Sequence, residues 1–66
     1  MRNNLREFRT KLGLTQEEIG GMFNLNRQQW CNIESGKRKG SGSFWLCLQK
    51  KFNLSNEETL KLMEVS

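Results

Sequence analysis

Apolar residues recur at three- and four-residue spacing along most of the chain, and no stretch alternates long enough to read as a strand. Leu5, Phe8 and Leu12 predict an amphipathic helix over about residues 2–12, with Gly13 as its left-handed cap. Thr15-Gln16-Glu17-Glu18 has the form of a capping box, and Ile19, Met22 and Phe23 continue it into a short helix over about 16–23. Asn24-Leu25-Asn26 then reads as a tight turn. Asn24 stands where the backbone needs positive φ, and Asn26 is a good N-cap. Leu25 and Trp30 have the spacing of a hydrophobic staple. A third helix is expected over about 27–34, stopped by Ser35-Gly36. The run from Lys37 to Ser43 reads as a loop. Phe44, Trp45, Leu48 and Phe52 mark a fourth helix over about 43–52. Ser55-Asn56-Glu57-Glu58 is a second capping box and opens a fifth over about 56–64, with Leu60 and Met63 expected inward. Five short helices with tight connections make an all-α bundle, and the pair at 16–34 has the spacing of a helix-turn-helix.

The 66 residues allow one small domain, expected over 1–66, with little room for an internal cavity. His, Tyr, Asp, Ala and Pro are absent. Without His, imidazole bases, catalytic triads and Cys/His zinc fingers are excluded, so no catalytic or metal residues and no cofactor are expected. Cys31 and Cys47 form neither a CxxC pair nor a four-ligand set, and read as two reduced thiols of a cytoplasmic protein. No signal peptide or membrane span is evident. The net charge is +4, and it is uneven. Residues 1–40 carry eight basic and four acidic residues, whereas 41–66 carry three of each. The excess peaks at Lys37-Arg38-Lys39. A small domain with such a patch suggests a polyanionic partner.

The third helix sharpens that suggestion. At about 100° per residue, the side opposite Trp30 and Ile33 carries Gln28, Cys31, Asn32 and Ser35. Arg27 stands at its N-terminal corner and Gln29 on a flank. An ordinary solvent-facing side is charged, and this one carries amides. An amide offers a donor and an acceptor together, as the N6/N7 edge of adenine requires, and Arg matches the O6/N7 edge of guanine.

Three separated blocks then resemble one family: Leu12-Gly13-Leu14-Thr15-Gln16-Glu17-Glu18-Ile19, Arg27-Gln28-Gln29-Trp30, and Ile33-Glu34-Ser35-Gly36-Lys37-Arg38. Their spacing is similar to that of the phage-repressor/Cro-type helix-turn-helix regulators, the xenobiotic-response-element class, over about residues 3–60. The resemblance implies a lambda-repressor-like five-helix domain. It implies base reading by Arg27, Gln28, Gln29 and Asn32. It implies phosphate contacts by Gln16, Lys37, Arg38 and Lys39, with Gln16 also bracing Gln28. Arg9 and Glu34 would form a buried structural ion pair. The chain departs from the family's pattern at Gly20, where Ala is usual, and at Gly40, where Pro is frequent. It departs again at Trp30 and Trp45, both expected to be buried.

The expected function is sequence-specific binding of double-stranded DNA by a small, prokaryotic or phage-encoded transcriptional regulator, a repressor or operon autoregulator. One such helix reads only a few base pairs, so a homodimer on an inverted-repeat operator is expected, contacting through the C-terminal helix. Leu62 and Val65, off the Leu60/Met63 stripe, are the candidate interface residues. No small-molecule ligand or membrane partner is evident. A helix-turn-helix-shaped protein-interaction or antitoxin-like module is the alternative, and the amide-rich stripe argues against it.

Overall fold

The computed structural model describes residues 1–65. Its five helices are α1 (Asn3–Lys11), α2 (Gln16–Gly21), α3 (Arg27–Ser35), α4 (Gly42–Lys51) and α5 (Asn56–Met63), and the described residues contain no strand. None of these helices is long and apolar enough to cross a membrane.

The caps set the boundaries. Thr15, Asn26, Ser41 and Ser55 each accept a hydrogen bond from a backbone N–H of the first turn, which satisfies a donor that the helix leaves open. Capping boxes are complete at Thr15/Glu18, Asn26/Gln29 and Ser55/Glu58. The middle one, which holds α3, was not expected from the sequence. Asn24 has φ 59° and Gly13 φ 72°, so both turns are left-handed as read.

α2 and α3 form the helix-turn-helix. α1 packs against α5 and α3, and α4 against α5. Leu5, Ile19, Trp30 and Leu48 are fully buried at the centre, with Ile33, Trp45 and Leu62 around them. All six aromatic rings join one cluster. It runs from Phe8 against Phe52, through Phe23, Trp30 and Phe44, to Trp45, with neighbouring centroids 4.9–6.4 Å apart. Four of these contacts are edge-to-face, and such pairs add about 0.5–1.5 kcal/mol each beyond area burial. Large rings thus fill a core that has no alanine.

Both tryptophans are buried as expected, and each stands beside a glycine. A Cβ on Gly20 would lie 3.0 Å from the Leu25 carbonyl oxygen and 3.4 Å from Trp30 Cβ. Gly40, at φ 76°, leaves room for the Trp45 indole. A Cβ there would meet Nε1 at 2.8 Å. Proline, fixed near φ −65°, cannot adopt that conformation. Gly40 thus makes room for the Trp45 ring, whereas Gly20 makes room for the main chain of the turn at Leu25 and Asn26.

The fifth helix corrects the sequence reading. Thr59 and Leu62 face the core, whereas Leu60 is 62% and Met63 36% exposed. Leu62 is therefore not a free interface residue. Val65, the other candidate, is exposed as expected. Thr59 can turn inward because its hydroxyl donates to the Ser55 carbonyl at 2.9 Å, leaving its methyl to pack. A stripe judged from apolar residues alone passes over such a threonine.

Candidate nucleic-acid interface

The helix that carries the amide stripe is anchored on its opposite side. Trp30, Ile33 and Glu34 are its buried residues. Glu34, 1% exposed, receives four hydrogen bonds. Arg9 donates from Nε to Oε2 at 2.9 Å and from Nη2 to Oε1 at 3.2 Å. The Trp30 indole donates to Oε2 at 2.6 Å, and Gln16 to Oε1 at 3.4 Å. Arg9 also donates to the Leu14 carbonyl at 2.8 Å, which ties in the loop before α2. Burial pushes the Glu34 pKa up. The bonds from Arg9, Trp30 and Gln16, with the charge of Arg9, outweigh that and hold it below the usual carboxylate range. The expected Arg9–Glu34 ion pair is present, and it locks α1, α2 and α3 together.

Gln28 points outward from the first turn of α3, and Arg27 is exposed beside it. Gln28 Nε2 donates to Asn32 Oδ1 at 3.0 Å, so two of the sequence-predicted residues form a single amide pair on the outer face. Gln16 is turned toward Glu34 and does not brace Gln28 here. Asn32, one turn along the same helix, supplies the brace. Gln29 is exposed on the flank, and its side-chain oxygen accepts the Asn26 amide at 2.8 Å. That oxygen is committed to the cap. Gln29 also lines a groove between α3 and the following loop, together with Asn32, Arg38, Lys39 and Ser41.

Lys37, Arg38 and Lys39 are exposed at the far end of α3, and like Arg27 they pair with no carboxylate of the described residues. The loop is shaped by its backbone. The Arg38 N–H donates to the Asn32 carbonyl at 3.1 Å, and the Trp45 indole donates to the Lys39 carbonyl at 3.0 Å. Gly36, at φ 90°, turns the chain out of α3. The outer face of α3 therefore carries amides in its middle and cations at both ends. Such a face offers hydrogen-bonding edges between two sites of positive charge.

Sequence reasoning missed Arg2. It is 5% exposed, and it fills the space between the ends of α3 and α5 and the basic loop. Its signal in the sequence was weak, a lone cation before the first apolar stripe. Cys31 and Cys47 are both free thiols.

No protein-family profile matches the chain, and no solved structure matches it. A curated protein does. An uncharacterised HTH-type transcriptional regulator of Archaeoglobus fulgidus is 34% identical over 58 residues, spanning 88% of this chain and 83% of the relative. The α2–α3 arrangement fits that relationship, with its capped turn and its half-open third helix. The chain belongs to the helix-turn-helix transcriptional regulators.

Proposed function

We propose that this protein is a regulator of the phage-repressor/Cro type that binds double-stranded DNA by laying α3 in the major groove. The observation that carries this reading is the outer face of α3. The Gln28–Asn32 amide pair stands between exposed cations that pair with no carboxylate of the described residues, on a helix whose inner side is locked by Glu34. In this reading Arg27, Gln28 and Asn32 meet base edges, with Gln29 on the flank. Lys37, Arg38, Lys39 and the end of α2 near Gln16 meet phosphates. Phosphate contacts supply most of the affinity, and the amides supply the discrimination.

The protein acts as a dimer on an inverted repeat, because one recognition helix discriminates too little. Each wrong base pair costs only about 1–3 kcal/mol. The exposed apolar groove of α4 and α5, lined by Leu46, Leu60 and Met63, supports a contact through the C-terminal helix, on the side opposite the buried Leu62. Regulation works by occupancy of a promoter, as a repressor or operon autoregulator, with no catalysis and no cofactor.

Selection from a random duplex pool at about 150 mM salt tests this, since salt sets the non-specific background. The expected product is an inverted repeat with half-site centres roughly 10 bp apart. Gln28→Ala should then weaken binding to that site by about 1–3 kcal/mol and relax one base position. Weak binding that vanishes as salt rises, with no sequence enriched, would sink the reading and favour a protein-interaction module.

A further inference from the structure

We infer that Arg2 is a positioning residue for DNA binding: its buried guanidinium clamps the basic loop onto the end of the recognition helix. The inference rests on the DNA-binding reading above.

Arg2 makes an unusual set of contacts. Its Nη1 donates to the Ile33 carbonyl and, at 2.9 Å, to the Arg38 carbonyl. Nη2 donates to the Lys39 carbonyl at 3.3 Å, and Nε to the Met63 carbonyl at 3.0 Å. Its backbone N–H donates to the Glu34 carbonyl at 2.7 Å. The guanidinium carbon lies 5.4 Å from the centre of the Trp45 ring. Among the described residues, every side-chain acceptor is a main-chain oxygen and none is a carboxylate.

Two of those oxygens belong to the last turns of α3 and α5, where helix dipoles concentrate negative charge and favour a cation. The other two belong to the loop that carries Lys37, Arg38 and Lys39. A planar guanidinium can hold several carbonyls at fixed angles, which the flexible, rotating ammonium of lysine cannot do. The same Lys39 oxygen also accepts the Trp45 indole. The main chain of Arg38 and Lys39 is therefore tied to α1, α3 and α4 while both side chains stay outside. Prepaid order of this kind removes a cost that a loose loop meets on binding. Arg2 never reaches the solvent face where DNA would lie, so it acts through the loop.

The test keeps the charge and removes the fork: Arg2→Lys, studied well below its melting temperature. In the free protein, amide hydrogen exchange of Arg38, whose N–H donates to the Asn32 carbonyl at 3.1 Å, should accelerate about tenfold or more, while Leu25, in the turn between α2 and α3, stays protected. Affinity for duplex DNA should fall about tenfold for matched and mismatched sites alike. In a background carrying K37Q, R38Q and K39Q, with affinity measured at low salt, Arg2→Lys should cost nothing further. Equal acceleration at Leu25 and at the loop, unchanged affinity, or the same loss in both backgrounds would overturn the clamp. If the wild-type protein binds no duplex even at low salt, the DNA reading fails. The exchange comparison, made on the free protein, still judges whether Arg2 orders the loop.

Discussion

Two buried charges support the functional surface, and they are neutralised differently. Glu34 meets a cation, Arg9, with an indole and an amide completing its shell. Among the described residues, Arg2 meets carbonyl oxygens, drawn from two helix ends and a loop, and the face of the Trp45 ring. The first arrangement joins side chains of three helices and fixes where α3 lies. The second joins main-chain atoms and fixes the loop that follows it. The difference teaches that oriented main-chain dipoles, like an ion partner, can take up a buried charge. Such a site is also more forgiving, because water can replace an arginine at a helix end more easily than it can reach the bottom of the core.

That comparison makes a first prediction. Arg9→Met strands a buried carboxylate and should destabilise the fold by about 3–5 kcal/mol. The double variant Arg9→Met/Glu34→Gln should recover part of the loss. Arg2→Met leaves only neutral carbonyls and should cost about 2 kcal/mol, near the value of a charged hydrogen bond. Urea titration of the three proteins decides it. Equal losses from the two single variants would end the distinction between the sites.

A smaller effect is expected at the glycine beside the Arg2 site. Gly40→Ala puts a methyl carbon against the Trp45 indole and forces a side chain into positive φ. The expected loss is about 1–3 kcal/mol. Combining it with Trp45→Leu should relieve much of that loss. If the two variants add without relief, Gly40 and Trp45 are not one adaptation.

The smallest effect is a change of slope with pH. The folded pKa of Glu34 lies below the ordinary 4.5. Its contribution to stability is therefore complete above pH 4.5 and is lost as pH falls through the folded value. Glu18 and Glu58 share the direction, because capping hydrogen bonds from Thr15 and Ser55 favour their charged forms. Glu34→Gln should be less stable at neutral pH and should lose less on acidification than the wild type. Parallel curves for the two proteins would show that the Glu34 carboxylate contributes no pH dependence.

The amino-acid sequence by itself determined the helices, their ends and the helix-turn-helix. Those features come from neighbours three or four residues apart: capping boxes, apolar spacing and left-handed turns. It also made the Arg9–Glu34 pair legible through family resemblance. Tertiary structure decided the rest. It turned Thr59 and Leu62 inward in place of Leu60 and Met63, because which side of a short helix is buried depends on what packs against it. It gave Gln28 the brace of Asn32 and sent Gln16 to Glu34, a choice set by where α2 and α3 meet. It also joined Gly40 to Trp45. Above all it assigned Arg2, whose acceptors stand 31 to 61 residues away and are main-chain oxygens. Every residue has such an oxygen, so no residue type in the sequence could mark those partners. Only the folded chain brings the four of them to one guanidinium.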